Sequence, residues 1–162
     1  MKIGILADTH DHIDNTLYFL NQFNHECVQL VIFAGDLVSP FTVEPFIKAG
    51  IPVKGIFGNN EGERNLIQYK FNKAGFEISK QPINITTEER KIVVFHKLPD
   101  TNLDKVDADI IICAHTHKRK VQNEKNHLII NPGEACGWVT GEPTAVILSL
   151  PDGELKWLTK ET

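Results

Sequence analysis

The sequence contains no run of lysine or arginine longer than the three residues Lys118-Arg119-Lys120, and its formal charge is −4. Without clustered cations there is little to neutralise a polyphosphate backbone, so extended nucleic-acid binding is not expected. No apolar stretch approaches the ~20 residues that cross a bilayer and no secretory apolar segment is present, so neither a membrane partner nor export is expected. Cysteine is scarce as well: Cys27, Cys113 and Cys136 are odd in number, widely spaced and form no CxxC pair. That pattern suggests neither a disulfide framework nor a zinc knuckle, and a reducing cytoplasm fits it best. Nor is there a Gly/Ser linker, a low-complexity tract or an internal repeat. Residues 1–162 therefore read as a single domain, long enough to bury roughly 70% of the surface its unfolded chain exposes.

What is present is an alternation. KIGILA (2–7), QLVIFA (29–34) and IPVKGIF (51–57) are short apolar runs separated by stretches of helical period, a βαβαβ opening. In the first such stretch Ile13, Leu17, Leu20 and Asn24 mark one side of a helix, widened by Phe19 and Phe23, with Asp11 or Asp14 as N-cap. In the second, Ser39 before Pro40 is a cap followed by proline at the first helical position, and Gly50 stops the helix. A third helix is expected over Gly62–Lys73. After Gly75 the runs FEIS, INIT, KIVVFH, DIIICAH, RKVQN, HLIIN, TAVILSL and ELKWLT read as short, mostly antiparallel strands. Residues 97–108 are expected to form a loop or short helix over a site.

The ends of the apolar runs share one chemistry. KIGILA stops at Asp8 and His10, QLVIFA at Gly35 and Asp36, VKGIF at Gly58, Asn59, Asn60 and Glu61, KIVVF at His96, and DIIICA at His115 and His117. These are the carboxyl ends of the expected strands, the edge where ligand crevices form in open α/β sheets. Asp, Asn and His are the oxygen and nitrogen donors that Mn²⁺, Fe²⁺, Ni²⁺ or Zn²⁺ accept, whereas Mg²⁺ or Ca²⁺ would favour more oxygen. Residues two apart in extended chain point the same way, so Asp8 with His10, and His115 with His117, can each aim two donors at one cavity. A lone DxH or HxH is a weak signal; five strand ends delivering the same donor chemistry in order are a strong one.

Asp8-Thr9-His10, Gly35-Asp36, Gly58-Asn59-Asn60-Glu61, His96 and Ala114-His115-Thr116-His117 resemble the DxH, GD, GNH-Asp/Glu, His and GHxH blocks of the calcineurin-like metallophosphoesterases. The resemblance spans essentially the whole chain, and INPGEACGWVTGEPTAVILSL looks like the closing strands of the small YfcE-type phosphodiesterases. It implies an α/β fold, a β-sandwich of two mixed sheets flanked by helices. It also implies two divalent metal ions, Mn²⁺ first in order with Ni²⁺, Fe²⁺ or Zn²⁺ as alternatives. One would be held by Asp8, His10, Asp36 and His117, the other by Asp36, Asn59, His96 and His115, with Asp36 bridging. Two ions about 3.5–4 Å apart can lower the pKa of a water and stabilise charge on phosphoryl oxygens, so the expected activity is metal-dependent hydrolysis of a small phosphodiester. Homodimers or higher homo-oligomers stay open.

Where the family has its catalytic histidine the chain has Asn60, with Glu61 beside it. Asn60 donates a hydrogen bond but is no general acid, a role worth about 10²- to 10⁴-fold, so slow turnover of poor leaving groups is expected. The alternative is a weak or inactive metal-binding scaffold for protein–protein interaction, as in the retromer subunit that resembles the same family. Ala114 stands for a family glycine, with a strain of about 1 kcal/mol only if φ is positive there. Gly35 and Gly58 are assigned to tight turns, and Lys97, His12 and Asp11 to solvent, turn and helix-start positions. His25 and His127 lack partner motifs, Glu134 and Cys136 are given structural roles, and Phe19, Phe23, Trp138 and Trp157 are assigned to core or interface packing.

Overall fold

Isoleucine and valine fill the short apolar runs, and in the computed structural model these form the strands of two mixed sheets. The structure describes residues 1–87, 90–100 and 102–161. In the first sheet β1 (Lys2–Leu6), β2 (Leu30–Phe33), β3 (Val53–Ile56) and β4 (Glu77–Ser79) run parallel in that order. The C-terminal strands β10 (Thr144–Ser149) and β11 (Glu154–Thr159) extend it antiparallel beyond β1. The second sheet runs β5 (Ile83–Thr86), β6 (Lys91–Val94), β7 (Ile110–Ile112), β9 (His127–Asn131), β8 (Lys120–Glu124).

Period-2 alternation decides which core each side chain enters. Ile3 and Ile5 of β1 face inward and meet Ile92, Val94, Ile112 and Ile130 of the second sheet, while Leu6 turns outward to Phe19, Leu20 and Phe23. Helices α1 (Ile13–His25), α2 (Glu44–Ala49) and α3 (Arg64–Lys73) cover that outer face. Gly4 is needed there, because a Cβ would lie 2.7 Å from the Phe23 ring.

Four expectations change in detail. The buried face of α1 is Asn15, Thr16, Phe19, Leu20 and Phe23, with Ile13 exposed, because the phenyl rings claim the sheet and Asn15 is held by the Cys136 carbonyl. Its N-cap is His12, whose Nδ1 accepts from Asn15 N, rather than Asp11 or Asp14. Helix α3 starts at Arg64, since Gly62 is engaged with the Val38 carbonyl. In the second half, the β5–β6, β8–β9 and β10–β11 ladders are antiparallel, but β6–β7 and β7–β9 are parallel. The connections over 95–109 and 113–126 are long enough for crossovers, as parallel pairing requires. Residues 102–108 contain one 3-10 turn at Leu103–Lys105, and Leu103 packs on Ile111, Cys113 and Ile129 at the outer face of the second sheet.

Candidate metal centre

The parallel strands of both sheets end on one edge, and the donors gather there. After β1 the chain turns through left-handed backbone at Asp8 and His10, after β2 at Asp36, and after β7 at His115 and His117. Such φ values are costly for non-glycine residues and collect at functional sites. Backbone hydrogen bonds fix the turns against each other: Asp8 N to Gly35 O and His10 N to Asp36 O, both 3.0 Å. Ala114 itself has no positive φ; the left-handed residue is His115, so the alanine is tolerated. Gly35 is left-handed at φ 96°, as a tight turn requires, but Gly58 serves close approach instead, because a Cβ there would collide with the Asp36 carboxylate.

Donor atoms of Asp8, His10 and His117 lie within 4.8 Å of one another, and so do those of Asp8, Asp36 and His96. Asn59 Oδ1 joins them, 3.0 Å from His96 Nε2 and 2.9 Å from His115 Nδ1. The structure thus brings all seven sequence-predicted donors together. Asp8 and Asp36 are buried, 0% and 1% exposed, as is His96. Burial pushes the Asp8 carboxyl up to about 7 against the pull of His96 and His117. Asp36 is also penalised by burial, yet the His96 and Asn60 hydrogen bonds hold it well below the usual carboxylate range. Burial opposes the His96 cation too, but Asp36 and the Ala34 carbonyl outweigh it and raise its pKa. Burial lowers the pKa of His10 and of His115.

The donor set fits a divalent cation on geometry as well as on chemistry. Asp8 Oδ1 and His10 Nε2 are buried and make no hydrogen bond among the described residues. They stand 3.9 Å apart, too far to bond each other and close to twice a metal–ligand distance of about 2.0–2.2 Å. His117 Nε2 lies 3.8 Å from the same oxygen.

Asn60 and Glu61 take different places. Asn60 Nδ2 donates to Asp36 Oδ2 at 2.7 Å and its N–H to Asp36 Oδ1 at 2.9 Å, so it meets the proposed bridging carboxylate. Glu61 is buried behind the turn, where Oε1 accepts from Asp36 N at 2.7 Å and Leu37 N at 3.2 Å. It is a positioning residue. Asp11 is more than punctuation, accepting from Ser39 N, Ser39 Oγ and Thr42 Oγ1 and so pinning the loop after β2.

Sequence reasoning undervalued Glu134. Fully buried, its Oε2 lies 2.7 Å from His117 Nδ1, and it accepts from Val139 N, Thr140 N and Thr140 Oγ1. Burial opposes its charge, but the His117 and Thr140 hydrogen bonds hold the carboxyl down at about 2. A carboxylate flanked by small residues in PGEACG was the only available signal. Cys136 donates to it, and burial pushes that thiol up to about 12, away from ligation. Trp138 is not core: it is 65% exposed, near His12. His127 sits elsewhere, between the Ala108 and Leu103 carbonyls.

This edge, with its buried carboxylates and imidazoles on a two-sheet sandwich, defines a metallophosphoesterase centre, and the chain belongs to the calcineurin-like phosphoesterase superfamily, whose domain pattern matches residues 1–153. It is a metal-dependent phosphoesterase, a hydrolase. It is 34% identical to Phosphodiesterase MJ0936 of Methanocaldococcus jannaschii, over 99% of this chain and 100% of that protein. The structure of an archaeal phosphodiesterase matches with a TM-score of 0.92 at 33% identity, covering 99% of this chain and 100% of that one. YfcE, a phosphoesterase from E. coli, matches at 0.72 and 17% identity over 98% of each chain, and a Vps29 single mutant from Entamoeba histolytica at 0.70 and 21% over 100% and 99%. These last two share the fold. No helix among the described residues is long and apolar enough to cross a membrane.

Proposed function

We propose that the protein is a cytoplasmic, single-domain phosphodiesterase that hydrolyses small phosphodiesters with two divalent cations, Mn²⁺ first among them. Asp8, His10, Asp36 and His117 would hold one, and Asp36, Asn59, His96 and His115 the other. The carrying observation is the buried, unbonded pair Asp8 Oδ1 and His10 Nε2 facing each other at 3.9 Å. When bound, the cations would supply positive charge for the phosphate and acidify a water. The protein's part is orientation. Glu134 accepts a hydrogen bond at Nδ1 of His117 and the Ala34 carbonyl one at Nδ1 of His96, at 2.7 and 2.8 Å, so Nε2 is the nitrogen each ring would offer a cation, His96 first giving up its Asn59 contact. Asn60 steadies Asp36 and supplies an amide donor but no proton, so esters with good leaving groups turn over best.

The test is metal analysis of the purified protein together with hydrolysis of bis-p-nitrophenyl phosphate before and after chelation, then with Mn²⁺ or Ni²⁺ restored. Two ions per chain and chelation-sensitive turnover are expected. Two ions without turnover would favour the scaffold; no bound ion would overturn the site assignment.

A further inference from the structure

Beside the centre, at the outer face of the second sheet, lies a cavity of about 200 Å³. Leu98, Cys113 and Ile129 give it an apolar floor, and His115 closes one side. The same imidazole touches Asn59, so cavity and centre share a wall. Lys97 and Lys120 also line it. Both are exposed, and neither side-chain ammonium has an ion pair or hydrogen bond among the described residues. Lys48, Lys73, Lys80, Lys105 and Lys118 are likewise without a side-chain partner among the described residues, so what distinguishes Lys97 and Lys120 is that they line this cavity.

An apolar hollow with two uncompensated cations is complementary to a compact apolar body that carries negative charge. Its size suits a group such as a nucleobase or sugar rather than a drug-sized molecule, for which about 300–1,000 Å³ is usual. We propose that this cavity, abutting the centre at His115, receives the retained arm of the phosphodiester, an arm with a compact apolar body and a second anionic group met by Lys97 and Lys120. The inference rests on the phosphodiesterase reading above. In the reaction, water oxygen bonds to phosphorus, the P–O bond to the leaving oxygen breaks, the proton the water loses passes to the leaving oxygen or, for a p-nitrophenolate, to solvent, and the arm stays on the phosphate in the cavity.

The experiment compares kcat/KM of the Mn²⁺-loaded protein on two esters with one leaving group, the p-nitrophenyl ester of thymidine 5′-phosphate and its 3′-phosphorylated counterpart. Both release p-nitrophenolate, so only the arm differs. The 3′-phosphorylated ester should be preferred by about three- to tenfold, mainly through KM, and Lys97→Ala/Lys120→Ala should level the two. Equal values in the unmodified protein, or a preference that survives in the double variant, would overturn the proposal. Calorimetric titration of chelated protein with thymidine 3′,5′-bisphosphate separates the two ideas. If no ester is hydrolysed, the phosphodiesterase reading fails. Binding that the double variant loses would still support the cavity, and absent binding would overturn it.

Discussion

Asp8 Oδ1 and His10 Nε2 make no hydrogen bond among the described residues, whereas on the other side of the centre Asp36, Asn59, His96 and His115 are each hydrogen-bonded to another residue of the set. There Asn59 Oδ1 meets His96 and His115, and Asp36 Oδ1 accepts from the N–H groups of Asn59 and Asn60. His96 has acceptors at both ring nitrogens, Ala34 O and Asn59 Oδ1, which favours its doubly protonated form. Two half-sites with similar donors are therefore held differently. The Asp8 side is preorganised and carries an unmet desolvation cost that a cation relieves. The Asn59 side is satisfied internally, so a cation there must displace hydrogen bonds as well as a proton, whereas the Asp8 side gives up only the Asp8 proton. On the two-cation reading proposed above, stepwise loading, tighter on the Asp8 side, is expected.

Removing the shared carboxylate is the bluntest way to erase that difference. Asp36→Ala should cost at least about 10³-fold in bis-p-nitrophenyl phosphate hydrolysis, the scale of losing a preorganised charge-stabilising group, and should leave metal analysis with fewer than two ions. Asn60→His should raise activity on a poor leaving group such as phenyl phosphodiester by up to about 10²-fold with little change on p-nitrophenyl esters; no gain would show that His at 60 cannot act as an acid here. Glu134→Gln weakens one half-site only: the tighter binding isotherm should shift by about 10- to 100-fold and the weaker one hold still.

The smallest effect is read in pH. Asp8 folded binds its proton up to about 7, above the ordinary 3.8, so ion-free stability is highest below the lower value and falls as pH rises between them. Glu134, held at about 2 against 4.5, has the opposite sign: its contribution is present above 4.5 and is lost as pH falls toward 2. The urea midpoint of chelated protein should therefore peak near pH 4–4.5 and fall toward pH 7. Loaded protein should not show that fall, and binding of the first cation, on the Asp8 side, at pH 6 should release about one proton, read by calorimetry in buffers of different ionisation enthalpy.

Much of this was legible because strand ends concentrate polar residues that the apolar runs exclude. Asp8, His10, Asp36, Asn59, Asn60, Glu61, His96, His115 and His117 stood out by position and chemistry, and narrowing them to seven expected ligands rested on the resemblance. The two-sheet sandwich followed from resemblance together with the β-rich second half. What stayed hidden depends on tertiary contacts. Glu134 acts through a histidine distant in sequence, Glu61 serves backbone N–H groups rather than a side chain, and the parallel order of β6, β7 and β9 is set by crossovers that short-range patterns do not encode. The reason for Gly58, a carboxylate where its Cβ would be, likewise exists only in three dimensions.

Left-handed backbone at Asp8, His10, Asp36, His115 and His117 sets stability against function. Each is a position where glycine would relax the chain, by roughly 1 kcal/mol, and forfeit a donor. A gene copy released from selection for hydrolysis would thus find stabilising changes at the positions the chemistry needs. Glycine drift at these turns, with the sheets intact, would be the evolutionary signature of a descendant that kept the fold and abandoned the reaction.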